Sequence, residues 1–332
     1  MIALRSMILA VVLTAFALPA AAQEKVTFAS PLPFYPGVAE GYGVTKYAEA
    51  LEGLFKHHPA FAGKVEYVAY DRGALFANIA EHLEAVSTNA IQITYSVPQE
   101  MEALEPSYKV ATAPGLFRDF AHFAAAMDSE PWQAVEERLA SEKGVKVLGW
   151  VFDAGALYLF TRSPVATMAD MKGQRIRYPA GEAWRLAIAG LGAEPLALPY
   201  TEVVPALQTN LIDGLITDFT GGVAYYGLSA FTPNAVLIPV SIQPIAMVAS
   251  ADWWATLSDE QKAAIDELFA IVDTSIFYTA LTDIEIAKWR EAKMTAEVPS
   301  DSDAWRQAMQ TSAQSAIADV DPVLIQAIHD VD

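Results

Sequence analysis

The chain has 332 residues and no cysteine, and its 40 acidic against 21 basic residues give a formal net charge of −19. So negative a surface repels nucleic acid and anionic lipid, which argues against both as partners. Without cysteine, the chain can form neither a disulfide framework nor a thiolate site. Its length is sufficient for two α/β lobes, each with a buried core.

The first 22 residues have the features of a cleaved secretory signal peptide. Arg5 supplies a short positive region, residues 7–19 are almost wholly apolar, and three alanines at residues 20–22 offer a cleavage site. The alternative is an uncleaved membrane anchor, which needs about 20 apolar residues and no small-residue exit. No later stretch is long and apolar enough to span a bilayer. We therefore expect a soluble protein that is exported to the periplasm and has no stable membrane insertion.

The next part of the chain alternates predicted strands and helices, as in a parallel α/β sheet. Strands are predicted at residues 25–29, 65–70, 90–94 and 145–150, and helices at residues 41–55, 75–87 and 121–139. Ligands of parallel sheets lie at the carboxyl ends of the strands. The pocket candidates by this criterion are Ser30, Tyr70, Asp71, Arg72, Tyr95 and Ser96.

Residues 170–213 form the clearest unit, with the pattern strand, helix, strand, helix. The predicted elements are strands at residues 174–178 and 195–198 and helices at residues 182–191 and 201–208, the last with Thr201 as N-cap. Arg177 stands out in this unit because it lies at the end of a strand, beside Tyr178 and Pro179. A guanidinium that points inward from there needs a partner.

The remaining elements complete a two-lobed arrangement. Ser258 and Gln261 form a capping box, and the helix that it begins continues without Gly or Pro to about Lys293. Such a helix is about 50 Å long, which exceeds one lobe, so we expect it to brace both. Strands are also predicted at residues 214–222, 236–240 and 245–249, and a last helix at residues 303–319. Lobe I is assigned to residues 23–153 with 243–282, and lobe II to residues 154–242 with 283–332.

The sequence carries no recognisable catalytic or metal-binding motif. It lacks a nucleophile elbow, a P-loop, a dinucleotide-binding glycine pattern and a zinc-protease motif, and its five histidines lack metal-ligand spacing. Glu136 and Glu137 are predicted to lie on an exposed helix face as solvated charges. The sequence therefore predicts no cofactor and no catalysis, and a carboxylate pair assembled from distant loops stays as the alternative.

Several segments of the chain match one family pattern. The central ones are MADMKGQRIRYP at residues 168–179 and LGAEPLALPYTEVVPALQTNLIDG at residues 191–214. Supporting segments are EAVSTNAIQI at 84–93, APGLF at 113–117, KGVKVLGW at 143–150 and DWWATLSDEQKAAI at 252–265. Together they resemble the periplasmic substrate-binding proteins of TRAP transporters, the DctP-like family. The resemblance implies an α/β, type II-like periplasmic-binding-protein fold, with crossing strands and a long helix that braces two lobes. It also implies a small organic acid as ligand and membrane permease subunits as partners.

The carboxylate-clamping arginine of this family falls on Arg177. A guanidinium suits this role because its planar fork matches a carboxylate bidentately with charge-assisted hydrogen bonds. The alternative is a salt bridge within the protein, for which Glu182 is the nearest carboxylate in sequence. Tyr200 falls where related proteins place an aromatic ring on the pocket wall, and its alternative is a ring in the core.

Two departures from the family pattern concern the ligand. A second arginine of sialic-acid-type relatives falls on Leu157, and the polar residues that usually follow the Asp-Gly of the motif are replaced by Leu215, Ile216 and Thr217. Both changes remove polar contacts, so we expect a monocarboxylate with an apolar or aromatic body. The predicted ligand-binding residues are Arg177, Tyr200, Thr217, Asp218, Phe219, Tyr95, Tyr35 and Leu157, with Tyr225 as a further candidate for the wall.

Three alternatives to this interpretation stay open. A cation could assist binding of the carboxylate, with Asp218 as its ligand. The chain could serve a different transporter or a sensor, which would use the same architecture. It could also be a periplasmic enzyme that acts on an organic acid, and two coupled carboxylates facing Arg177 would favour that interpretation.

Overall fold

The computed structural model describes residues 23–30, 43–219, 223, 227–270 and 275–331. Side chains are described for these residues except 43–46, 152–154, 270 and 275–281. The predicted signal peptide lies outside the described residues. In the part that is described, no helix combines the length and the apolar character needed to cross a membrane.

A mixed sheet of nine strands forms the framework of the described residues. The strands are β1 (Glu24–Ala29), β2 (Val65–Tyr70), β3 (Ile93–Ser96), β4 (Val145–Thr161), β5 (Arg175–Tyr178), β6 (Glu194–Ala197), β7 (Gly214–Thr217), β8 (Asn234–Ser250) and β9 (Thr295–Glu297). Their order is β2-β1-β3-β8-β4-β7-β5-β6, and β9 pairs with β8. The sheet therefore has a first half that contains β1 to β3 and a second half that contains β5 to β7.

The two halves are joined by β4 and β8, which are 17 residues long each. They pair with each other in antiparallel fashion from Val145 and Ser250 at one end to Thr161 and Asn234 at the other. β8 pairs with β3 in the first half, and β4 pairs with β7 in the second. The crossing strand predicted at residues 145–150 is thus present and continues well beyond its predicted end.

Twelve α-helices flank this sheet in the described residues. They are α1 (Gly43–His57), α2 (Ile79–Ser87), α3 (Pro98–Met101), α4 (Phe120–Met127), α5 (Glu130–Lys143), α6 (Glu182–Gly190), α7 (Val203–Gln208), α8 (Ala251–Thr256), α9 (Asp259–Ala270), α10 (Ser275–Glu291), α11 (Ser302–Ala316) and α12 (Pro322–Asp330). Short 3-10 helices lie at Pro106–Thr112, Met168–Met171, Tyr200–Glu202 and Leu228–Ala230.

Both halves of the sheet have a hydrophobic core on each face. In the first half one core contains Trp253, and the other contains Trp132. In the second half one core contains Trp184 and Trp305, and the other contains Trp289. α11 packs against α6 of the second half, whereas α12 packs against α4 and α5 of the first. The lobe boundaries stay a prediction, but this packing places α12 away from the lobe to which we assigned it.

The predicted strands are mostly present, with one informative difference. The strands predicted at residues 236–240 and 245–249 form a single strand, β8. This strand contains Pro239 and Pro244, although proline lacks the N–H that a sheet ladder needs. Pairing with β4 nevertheless continues between them, where Ser241 lies opposite Leu157. The register shifts between Phe152 and Ala156, so the ladder absorbs the irregularity there.

Three predicted helices differ at their ends for local reasons. The helix predicted over residues 121–139 is divided into α4 and α5, because Pro131 lies in the first turn of α5 and cannot continue a preceding helix. α2 begins four residues later than predicted, where the side chain of Asn78 accepts a hydrogen bond from the Glu81 N–H at 3.0 Å. Thr201 is not an N-cap, since it lies within a 3-10 turn before α7.

The capping box at the start of α9 is confirmed. The Ser258 N–H donates to the Gln261 side chain at 2.9 Å, and the Gln261 N–H donates to the Ser258 hydroxyl at 3.3 Å. The long helix predicted from here appears as α9 and α10, and residues 271–274 between them lie outside the described residues.

Gly144, which ends α5 and leads into β4, provides a test of this framework. It has a φ of +71°, and a Cβ added there would lie 2.6 Å from the Ser87 carbonyl oxygen. We expect Gly144→Ala to lower the free energy of unfolding by about 2 kcal/mol, from backbone strain together with the clash. Gly63 is the matched control, because it has a φ of +76° and nothing within 4 Å of an added Cβ. Gly63→Ala should lower the free energy of unfolding by about 1 kcal/mol. Urea unfolding measures both variants, and equal losses of stability would show that the clash at Gly144 has no effect.

Candidate functional site

Arg177 lies in the interior of the second half of the sheet. Its side chain is only 2% exposed, and it leaves β5 on the same face as its register neighbours Leu196 and Leu215. The Nε–H donates to the Leu198 carbonyl oxygen at 2.9 Å. The guanidinium carbon lies 5.1 Å from the centre of the Tyr200 ring. One backbone hydrogen bond and one cation–π contact therefore fix the guanidinium.

The charge of Arg177 is not compensated by an ion pair within the described residues. Their salt bridges, defined by an N–O distance of at most 4.0 Å, do not include it. Burial lowers its pKa to about 10, while nearby Tyr200 and Glu100 act in the opposite direction. Glu182, the alternative partner considered from the sequence, is paired with Arg185 at 2.5 Å. A buried cation without such a partner is costly, so this site favours an incoming anion.

A carboxylate from the first half of the sheet also influences the pKa of Arg177. Glu100 lies on α3, the four-residue helix that follows β3, and its charge favours the protonated form of Arg177. Burial raises the pKa of Glu100, and Arg177 acts against that shift. The sequence reasoning missed this residue because α3 is short and 77 positions separate it from Arg177. The only local signal was Pro98, which suits the first turn of a helix at the end of a strand.

α3 is also in direct contact with the turn that follows β5. The Glu182 N–H at the start of α6 donates to the Glu102 carboxylate at 3.3 Å. Gly181, the N-cap of α6, has no side chain to do this itself, and a Cβ there would lie 3.2 Å from Cβ of Gln99. Glu102 therefore caps a helix of the second half from the first half.

Two further predicted residues lie close to Arg177 in the sheet. Thr217 ends β7, two positions beyond Leu215, which is the neighbour of Arg177. Asp218 follows it, and the two residues are 5% and 8% exposed. Thr217 therefore shares a sheet face with Arg177, towards the carboxyl end of the strand. Thr217 and Asp218 stay candidates for ligand contacts.

Phe219 and Leu157 occupy hydrophobic cores instead. Phe219 is 2% exposed, and its ring centre lies 4.8 Å from that of Phe160 and 5.5 Å from that of Trp289. Leu157 belongs to the core that contains Ile176 and Trp184, on the sheet face opposite Arg177. The alternation of side chains along β4 and β5 thus separates Leu157 from the arginine. Phe219 nevertheless belongs to the core that contains Leu215 and Tyr200, the neighbours of Arg177, so it stays a candidate for the site, as a prediction.

Tyr95, which was predicted for the wall of the site, lies in a core of the first half. Tyr95 is 1% exposed and packs in the core of the first half with Phe28 and Met247. Tyr35 and Tyr225 lie outside the described residues. Of the predicted aromatic wall, the described part places only Tyr200 against Arg177.

Glu136 differs from the solvated surface charge that the sequence predicted. It is 6% exposed, and the Trp150 indole N–H donates to its carboxylate at 3.0 Å. Burial raises its pKa to about 7, against the opposing effects of Trp150 and Lys146. The helical pattern of α5 did not reveal this, because Trp150 comes from β4.

The described residues contain no group of three or more His, Cys, Asp or Glu side chains that could hold a metal ion. A cation bound at Asp218 stays a prediction.

The fold is similar to those of solved periplasmic solute-binding proteins of TRAP transporters. A two-lobed TRAP periplasmic solute-binding protein from Citrobacter koseri, with bound D-glucuronate, superposes with a TM-score of 0.80 at 21% identity, covering 93% of this chain and all of that one. The predicted two-lobed α/β fold is therefore confirmed. Such a fold is shared by TRAP periplasmic solute-binding proteins. The chain belongs to family 7 of the bacterial extracellular solute-binding proteins (DctP), whose model matches residues 38–319. This is a family of binding proteins and not of enzymes.

Similar sequences belong to the same class. A solute-binding protein of Sulfitobacter sp. strain NAS-14.1 is 28% identical over 180 residues, 54% of this chain and 53% of that protein. The ectoine/5-hydroxyectoine-binding periplasmic protein UehA of Ruegeria pomeroyi is 25% identical over 289 residues, 82% of this chain and 79% of that protein. The chain spans about half or less of the length of the first three curated relatives that it matches.

Proposed function

We propose that the chain is the periplasmic receptor of a TRAP-type transporter and binds a small organic carboxylate through Arg177. The observation that carries this proposal is the buried guanidinium, which is fixed by Leu198 and Tyr200 and has no ion pair within the described residues. A ligand carboxylate would supply the missing anion. The ligands named for the relatives, D-glucuronate and ectoine, both carry a carboxylate, which supports this class of ligand.

Binding and closure are linked in this proposal. Because Arg177 lies in the second half and Glu100 in the first, a ligand between them contacts both halves. It then stabilises their closed arrangement by the difference between its affinities for the closed and the open form. The loaded receptor, exported through its signal peptide, would deliver the acid to membrane permease subunits.

The structure weakens the expectation of an apolar ligand body. That expectation depended on Leu157, Leu215 and Ile216, together with the ring of Phe219. All four are nearly fully buried in hydrophobic cores, at 4%, 0%, 3% and 2% exposure. Thr217 and Asp218 are polar residues at the end of β7, and sugar acids are the ligands named for similar structures. We therefore keep the single clamped carboxylate as the proposal and replace the apolar body by a polar one.

A thermal-shift screen of the mature protein, residues 23–332, tests this function. Each organic acid in the screen is paired with its carboxamide, which keeps the shape and removes the charge. A ligand at 100 times its Kd stabilises the folded form by about 2.7 kcal/mol, which raises the melting temperature measurably. We expect a shift with at least one acid and none with its amide. If no acid shifts the transition, or if amides act equally, the proposal is wrong.

A further inference from the structure

Helix α11 connects the two halves of the sheet through its packing. Near its start, Trp305 and Met309 pack with Trp184 in a core of the second half. Near its end, Ala313 and Ala316 belong to a core of the first half. A helix of 15 residues is about 22 Å long. The two ends of α11 are therefore buried in different halves, and the helix braces both.

The start of α11 is fixed to the second half. Asp301 precedes its first turn, and the Asp301 carboxylate accepts a hydrogen bond from the Met168 N–H at 2.9 Å. Further along, α11 lies against α6 at Gly190, where an added Cβ would lie 3.3 Å from the Ala308 carbonyl oxygen. Because the two helices are packed so closely there, a rotation of α11 would carry α6 and the second half with it.

The end of α11 is tied to the first half by an ion pair. Lys109 lies in the 3-10 helix Pro106–Thr112, whose Tyr108 and Val110 belong to a core of the first half. The Lys109 ammonium donates to both carboxylate oxygens of Asp319, at 2.7 and 2.9 Å. Asp319 follows α11 in the turn that leads to α12. Lys109 is 9% exposed, and a buried ammonium that loses its partner is costly, so this pair resists separation.

A second contact between the halves lies close to this ion pair. Glu102 of α3 accepts a hydrogen bond from the Glu182 N–H at the start of α6, at 3.3 Å. Burial raises the pKa of Glu102, and the charges of Lys109 and Asp319 act on it in opposite directions. The region around Lys109 therefore contains contacts of the first half with both α6 and the end of α11.

We propose that the Lys109–Asp319 pair sets the angle between the two halves, and thereby the affinity for the ligand, without touching the ligand. Any change at this end of α11 is passed to the second half through the packing of α11 against α6. The free energy of the pair then enters the affinity of every ligand that binds between the halves as one common factor. The inference rests on the proposed function only in requiring a ligand between the halves, and it does not need Arg177 as the clamp.

Double electron–electron resonance tests the angle without a ligand. The chain has no cysteine, so two introduced cysteines carry the only spin labels. Glu137→Cys on α5 and Gln208→Cys on α7 place exposed labels in the first and the second half. We expect Asp319→Asn to broaden the distribution of label distances by a few ångström. Lys109→Gln should broaden it to the same extent, and the double variant should add nothing, because both changes remove one interaction.

Asp303→Asn is the matched control. Asp303 lies on the same helix and pairs at 3.2 Å with Arg306 of that helix, so the variant removes the same charge and should leave the distances unchanged. The Asp319 side chain is 72% exposed, so an asparagine fits in its place and the variant should fold. Unchanged distances in folded Asp319→Asn and Lys109→Gln would overturn the inference, whatever their melting temperatures. Equal broadening in Asp303→Asn would overturn it as well, because net charge alone would then be the cause.

Calorimetry with D-glucuronate and ectoine, the ligands named for similar proteins, extends the test to affinity. Where both bind, Asp319→Asn should change the two affinities by one factor, of about fivefold or more. Lys109→Gln should give the same factor. Factors that differ between the ligands would contradict the inference, because the pair would then act on the ligand itself. If neither compound binds, the result counts against these ligands for the proposed function, and the label distances alone decide the inference.

Discussion

Arg177→Ala is expected to abolish carboxylate binding. A bidentate guanidinium makes charge-assisted hydrogen bonds worth about 1.5–3 kcal/mol each, so two of them amount to about 3–6 kcal/mol. Their loss weakens binding by a factor of about 10² to 10⁴. Arg177→Lys keeps the charge but loses the planar fork, and we expect an intermediate loss. Calorimetry with an acid identified in the thermal-shift screen measures both.

Arg175 offers a matched control on the same strand. It is partly exposed, and its charge is paired with Asp213 at 2.8 Å, whereas Arg177 is buried without such a pair among the described residues. Arg175→Lys should therefore leave affinity unchanged. Thermal unfolding without ligand shows whether Arg177→Ala is folded. It should be, since the variant loses a buried charge that has no ion pair among the described residues. Unchanged affinity in a folded Arg177→Ala would reject the assignment of the clamp.

Glu136→Gln is expected to flatten the pH dependence of stability. Because burial raises the pKa of Glu136 from 4.5 to about 7, the folded chain keeps a proton that the unfolded chain releases above pH 4.5. Stability from this group is thus fully present below pH 4.5 and is lost as the pH rises through 7. The loss amounts to about 3 kcal/mol. The glutamine side chain of the variant would still accept the Trp150 hydrogen bond, so the variant should be more stable than the wild type at neutral to alkaline pH.

Urea unfolding of wild type and variant at several pH values measures this difference. Glu137→Gln is the control, since Glu137 is the exposed neighbour on α5 and its replacement should leave the pH profile unaltered. Lys146 on β4 and Asp128 also act on Glu136, in opposite directions. Identical pH slopes for Glu136→Gln and the wild type would show that folding does not shift the pKa of this carboxylate.

Local signals predicted the elements of the fold better than their ends. β2 has its predicted bounds because residues 65–70 alternate and are flanked by clear turns. The division of α4 from α5 follows from Pro131, whose effect on the helix was visible in the sequence but not used. β8 was beyond local reasoning, because its continuity past Pro239 and Pro244 depends on pairing with β4, about 90 positions earlier.

The candidate site was predictable where one side chain carries the chemistry. Arg177 was found because an inward guanidinium at the end of a strand demands a partner, and the surrounding motif is specific. Glu100 was missed because its role depends on how the first half of the sheet faces the second. Leu157 was assigned from the family resemblance, and its neighbours in sequence did not fix which face of the sheet it takes.

The paired strands β4 and β8 belong to both halves of the sheet, and this makes the halves inseparable. Severing the chain between them would leave each fragment with a long strand whose backbone N–H and C=O groups have lost their partners. Neither fragment could then persist as an autonomous folding unit. Gene fusions or split reporters built on this receptor should for that reason insert at surface turns, never across the crossing strands.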